Sequence, residues 1–227
     1  MATYDLEEQE QIDEIKAWWK QHGNLVTSIV TAVAVGVLAW QGWNWYQRGQ
    51  AAKASMVYGV LQNAVSDKDV LRIKAASGEL LEKFGGTAYA PLAALSAAKV
   101  TFDAGDTKTA KLQLQWVVDN GKDELRDLAR LRLAAVLLDE KAYGDALLQL
   151  EGGTATAFST LFLVRRGDVF SAQGKQTEAR EAYQGALARL DQGDPSGRGI
   201  GSAQSAQASA AYRALLQLKL DALAESK

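Results

Sequence analysis

The chain has 227 residues, no cysteine, a single histidine and a formal net charge of −2. Without cysteine it forms no disulfide and no thiolate metal site. It also carries no basic stripe of the kind that tracks phosphate backbones, so it does not read as a nucleic-acid binder. Its length still leaves, after a membrane anchor, enough Leu, Val, Ala and aromatic residues for the core of one medium domain.

Residues 1–22 form an acidic tail, with Asp5, Glu7, Glu8, Glu10, Asp13 and Glu14 against Lys16 and Lys20. Ile12, Ile15 and Trp19 fall at i, i+3 and i+7, the spacing of an amphipathic helix. Such a helix either lies on a surface, docks a partner, or serves as a solvated lead-in to the anchor.

Residues 23–46 read as a transmembrane anchor. No Asp, Glu, Lys or Arg occurs from Gly23 to Gln47, and the apolar heart, Leu25 to Trp45, is 21 residues long. As a helix it reaches roughly 32 Å, the thickness of bilayer hydrocarbon. Leu25, Val26, Ile29, Val30, Val33, Val35, Val37 and Leu38 together favour insertion by about 3 to 5 kcal/mol. Trp18 and Trp19 precede the run, and Trp40, Trp43, Trp45 and Tyr46 close it, as aromatic belts at two interfaces do. Ser28, Ala32 and Gly36 set small residues four apart on one face, which permits close packing against another membrane helix. A cleaved signal peptide fits poorly, because the start is acidic and the apolar run too long, although Ala52-Lys53-Ala54 imitates a cleavage site. Lys16 and Lys20 on one side balance Arg48 and Lys53 on the other, so charge leaves the orientation open.

Residues 47–227 read as one all-α domain. Alanine is abundant, Pro occurs only at Pro91 and Pro195, and no segment alternates for long with strand periodicity. Breaks are expected at Ser66-Asp67, Gly85-Gly86, Gly105-Asp106, Asn120-Gly121, Glu140-Lys141, Gly152-Gly153 and Gly174-Lys175. The glycine-rich stretch from Asp191 to Ser202 reads as a flexible linker before a last helix, about 203 to 224.

The segments between these breaks repeat as helix pairs. When Ala98, Ala134 and Gly167 are aligned, Gly105, Lys141 and Gly174 fall together, as do Ala110, Ala146 and Ala179, and Leu114, Leu150 and Tyr183. A period near 34 with small residues in both helices is a tetratricopeptide (TPR) pattern, because paired helices approach closely only where side-chain bulk is absent. Residues 48–84 have room for a further pair whose register the sequence does not fix. The expected architecture is therefore a membrane helix followed by a TPR-like α-solenoid of antiparallel pairs with a C-terminal capping helix.

Little in the chain points to catalysis. The one histidine, His22, sits at the lip of the anchor, and no nucleophile–base pair, clustered metal site or phosphate loop is present. No enzyme, metal or cofactor is expected. The candidate site is a surface, the concave face of the first helices. In register it receives Leu92, Leu95, Lys99 and Phe102, then Leu128, Leu131, Ala135 and Leu138, then Leu161 and Val164. So apolar a lining either binds segments of other polypeptides or is covered by the protein's own helices, the last helix foremost. Arg130, Arg132, Arg165 and Arg166 add a basic cluster, which reads as solvated or internally paired before it reads as a binding patch.

The chain resembles the ancillary SecYEG translocon subunit family. The resemblance runs through the acidic tail into Ile15-Lys16-Ala17-Trp18-Trp19, the Gly/Ala/Val-rich anchor and Trp40 to Tyr46. It continues through Ala51 to Ala64, Tyr89 to Ala98, Leu131-Arg132-Leu133-Ala134, and Arg166-Gly167-Asp168 to Ala182-Tyr183. The linker after Asp191 and the long last helix depart from it. The resemblance implies an inner-membrane protein with a cytoplasmic tail and a periplasmic domain. It implies association with SecYEG, with a membrane-anchored periplasmic prolyl-isomerase-type chaperone and with unfolded client polypeptides in transit. Two rival functions are an envelope-stress regulator whose tail docks a signalling protein, and a scaffold for outer-membrane assembly.

Overall fold

The computed structural model describes residues 4–153, 158–191 and 202–225, which form nine helices and no strand among the described residues. In order these are α1 (Tyr4–Ser66), α2 (Val70–Phe84), α3 (Tyr89–Asp103), α4 (Thr107–Asn120), α5 (Asp123–Asp139), α6 (Tyr143–Glu151), α7 (Ser159–Ala172), α8 (Gln176–Asp191) and α9 (Ser202–Glu225). Each helix from α1 to α7 ends within two residues of an expected break. The expected linker lies largely outside the described residues. By packing, the chain divides into two units, Met1–Ala52 and Lys53–Lys227.

In the first unit the residues that would be a core elsewhere are uncovered. Leu25, Ile29, Val30, Val33, Val35, Val37 and Leu38 are 52–71% exposed, a surface that lipid solvates and water does not. The hydroxyls of Thr27, Ser28 and Thr31 each donate at 2.7 Å to the carbonyl four residues back, of Gly23, Asn24 and Thr27 respectively. The helix thus satisfies these polar groups by itself, as a hydrocarbon environment requires. It is the one helix among the described residues long and apolar enough to cross a membrane.

The second unit is a stack of four antiparallel pairs closed by α9. The first helices are residues 53–66 of α1, then α3, α5 and α7; the second helices are α2, α4, α6 and α8. Each pair turns through one residue in the left-handed region: Lys68 (φ 56°), Gly105 (82°), Lys141 (62°) and Gly174 (75°). The next residue's amide then closes the turn onto the carbonyl five back: Asp69 to Ala64, Asp106 to Thr101, Ala142 to Leu137 and Lys175 to Phe170, all at 2.8–2.9 Å. Asp69 and Asp106 also cap α2 and α4, accepting from the amides of Arg72 and Thr109 at 3.1 Å.

The pair that the sequence leaves unregistered is therefore present, with Lys68 at its turn. Its register is masked because bulk and smallness have changed places. Where later pairs carry Ala98, Ala110 and Leu114, this one carries Leu61, Ile73 and Ser77, all nearly fully buried. Two large side chains and one small one stand where the next pair has two small and one large, so the consensus is lost. Leu61, Ile73 and Leu80 then pack with Ala93 and Ala97 of α3, which joins this pair to the stack.

The aligned small residues meet at the pair interfaces. Ala98, Ala134, Ala110, Ala146 and Ala179 are buried, with Leu114, Leu150 and Tyr183 packed over them. In the fourth pair the large partner is an aromatic ring, and a Cβ on Gly167 would lie 2.4 Å from Cε1 of Tyr183. Glycine is required there by the approach of the ring.

Candidate interaction surface

The register places four rows across the first helices α3, α5 and α7: 92/128/161, 96/132/165, 99/135/168 and 102/138/171. Residues three to four apart lie on one helix face, so the rows form a strip. The strip is only partly apolar lining. Leu92 and Phe102 are exposed; Leu128, Leu138 and Leu161 are half-buried, resting on the central core; Leu95, Leu131 and Val164 are buried. Those last three are corrected to core residues, because their row points between adjacent first helices. Lys99 and Arg132 are exposed, and Ala135 is half-buried.

The last helix does not fold back over the strip. α9 packs beside α7 and α8, burying Leu216 and Leu223 with Val164 and Tyr183, as the first helix of another pair would. Asp168 fixes it there. One carboxylate oxygen accepts from the Tyr183 hydroxyl at 2.8 Å and from Lys219 Nζ at 2.5 Å, and the other from Arg165 at 3.5 Å. The Lys219 ammonium also lies 5.5 Å from the centre of the Tyr183 ring. Burial, then the hydrogen bond to Asp168, pushes the Tyr183 phenol above its ordinary value. Burial, then the charge of Asp168, does the same to Tyr212. With both carboxylate oxygens engaged, the cluster ties α7, α8 and α9 together. Sequence reasoning missed it; the available signal was Tyr183 at a position where the second and third pairs have Leu114 and Leu150, opposite a glycine.

Where α9 joins the stack, a cavity of about 650 Å³ opens between Leu138, Asp168, Ser171, Tyr183, Lys219 and Leu223. It continues the strip at its C-terminal end and falls within the size range of ligand pockets.

The aromatic residues flanking the anchor are exposed: Trp18 and Trp19 at one end, Trp40, Trp43, Trp45 and Tyr46 at the other. Trp18 stacks on His22 at 5.4 Å, and Trp43 lies 6.2 Å from Tyr46. Ser28, Ala32 and Gly36 form an open face, with no heavy atom near the space beside Gly36. Among the basic residues, Arg132 donates to the Leu95 carbonyl at 3.3 Å and Arg165 to Asp168, while Arg130 lies over Gly152 and Arg166 is half-buried.

An apolar helix with self-satisfied hydroxyls and a stack of four pairs with an exposed strip define a class: a helical-repeat protein with one candidate membrane-spanning helix among its described residues. A family model described as a tetratricopeptide repeat-like domain matches residues 16–225. The chain is 33% identical over 228 residues to the protein named Ancillary SecYEG translocon subunit of Neisseria gonorrhoeae, covering 98% of this chain and 100% of that relative. Proteins of the same name from Haemophilus influenzae (28% identity; 80% of this chain, 89% of the relative) and Escherichia coli (27%; 81% and 88%) are also similar. No solved structure matches the chain. The chain belongs to the ancillary SecYEG translocon subunit family.

Proposed function

We propose that this chain is an accessory subunit held beside the SecYEG translocon in the inner membrane. Residues 1–22 lie in the cytoplasm, 23–46 cross the bilayer between the aromatic belts, and 47–227 stand in the periplasm. There the strip holds segments of unfolded polypeptides leaving the translocon and passes them to periplasmic chaperones, among them a membrane-anchored chaperone of the prolyl-isomerase type. The face of Ser28, Ala32 and Gly36 packs against a neighbouring membrane helix. The near full-length likeness to the gonococcal relative carries this reading. The uncovered strip supports it, because anchoring raises the local concentration of the strip at an exit site and lets weak contacts suffice.

A photo-crosslinking residue at Leu92, Phe102, Leu128 or Leu138 tests it during secretion in intact cells. Capture of a translocon subunit, a secreted client or a chaperone is expected. Capture of none of them from any of the four positions refutes it. A topology reporter fused after residue 227 checks the compartment, and a cytoplasmic signal overturns the placement.

A further inference from the structure

We infer that the strip selects polypeptide segments in which acidic residues are flanked by large apolar ones. This rests on the polypeptide-binding role proposed above and deepens it. The middle rows of the strip carry Lys99 on α3, Arg132 on α5, Arg165 on α7 and, where α9 continues the face, Lys219. One carboxylate, Asp168, stands among these four cations, and Arg165, Lys219 and the Tyr183 hydroxyl already share it. Lys99 makes no hydrogen bond or ion pair among the described residues, and Arg132 spends one N–H on a backbone carbonyl. The band is therefore short of negative charge.

Large apolar side chains border it. Leu92, Leu128 and Leu161 run along one side, and Phe102 and Leu138 along the other, the latter opening into the cavity beside Lys219. Asp103 and Asp139 lie one turn beyond Lys99 and Ala135 on the same helix faces, exposed at the ends of α3 and α5 beside Phe102 and Leu138. That border is therefore acidic as well as apolar, and the cations of the middle rows lie between it and Leu92, Leu128 and Leu161. A segment laid across the strip meets leucine, then cation, then leucine or phenylalanine. Carboxylates answer the middle rows, apolar side chains answer the borders, and lysines at the centre are repelled. Charge of this kind chiefly governs selectivity and encounter.

The full chain in lipid nanodiscs is titrated with three fluorescent peptides of equal length. All carry the same Leu and Phe residues at both ends and differ only in a central trio of Glu, Gln or Lys. The Glu peptide is expected to bind about tenfold or more tighter than the Lys peptide. That advantage shrinks from low to high salt, because exposed charges are screened. The variant Lys99→Glu with Arg132→Glu is expected to erase or invert the order. Lys99→Glu alone, which disturbs no bond among the described residues, should reduce it, and an unchanged circular dichroism melt confirms that the fold is kept. Equal binding of all three peptides overturns the charge selectivity and leaves the strip as a polypeptide site. Binding of none overturns both.

Discussion

Gly167→Ala places one methyl group where the fourth pair is tightest. The new Cβ would stand 2.4 Å from Cε1, 2.6 Å from Cδ1 and 2.9 Å from Cζ of Tyr183. The ring has little room to yield. Its hydroxyl is bonded to Asp168, the Lys219 ammonium lies over its face, and it is 3% exposed. Overpacking of this kind costs about 1–3 kcal/mol. Displacing the hydroxyl from a charged acceptor adds about 1.5 kcal/mol, and the better helix propensity of Ala returns about 1 kcal/mol. The net expectation is a loss of roughly 2 kcal/mol, or about 4–8 °C in Tm for a chain of this size. Thermal melts of the detergent-solubilised protein by circular dichroism read it directly. Tyr183→Leu in the Gly167→Ala background recreates the Ala/Leu combination of the second and third pairs, Ala98 with Leu114 and Ala134 with Leu150. That double variant should melt above Gly167→Ala alone. If Gly167→Ala melts like the parent, or the second change gives no rescue, the steric account is wrong.

Three further outcomes are expected. Lys141→Gly should raise stability by about 0.5–1 kcal/mol, because a lysine at φ 62° carries side-chain strain that glycine lacks, whereas Gly105→Ala at φ 82° should lower it by about 1 kcal/mol; paired denaturation curves decide. The hydrogen bond from Lys74, then the bonds from the Thr109 hydroxyl and amide, hold the Asp106 carboxyl well below the usual carboxylate range. Since the folded value lies below the unfolded one, this contribution is full above about pH 4 and fades as pH falls further. Lys74→Met should therefore flatten the acid limb of a stability–pH profile, and an unaltered limb would refute the link. Val33→Arg, at a 60% exposed position within the apolar run, should cost about 2.5–3.5 kcal/mol of insertion and release part of the protein into a carbonate wash; undiminished retention would show that lipid does not face that residue.

The helix boundaries were legible because Gly, Asn and Asp punctuate the chain where left-handed or capping geometry is needed. Gly105 and Gly174 do so at two of the turns. Lys68 and Lys141 are the counterexamples: lysines adopt the conformation that glycine marks elsewhere, so the breaks expected beside them at Ser66-Asp67 and Glu140-Lys141 carry no glycine at the turn. The repeat was visible where small faces large in the usual order and invisible where Leu61, Ile73 and Ser77 reverse it, since close packing fixes how well a core is filled rather than which residues fill it. The strip was half-legible. Helical spacing put Leu92, Phe102, Leu128, Leu138 and Leu161 on a common surface, but could not tell that row from the adjacent one, where Leu95, Leu131 and Val164 serve the interior. That distinction depends on how neighbouring pairs rotate against one another. The Asp168 tie joins residues far apart in sequence, beyond the reach of any local pattern.

The repeated turn has a bearing on how the protein comes into being. Every pair buries its face on the pair before it, so a nascent chain can secure each unit once the next thirty-odd residues have arrived, without waiting for a distant terminus. The exception is the link from Lys219 back to Asp168, 51 residues earlier. Residue 219 must have been made before that bolt can slide home, and until then this end of the stack remains unsealed.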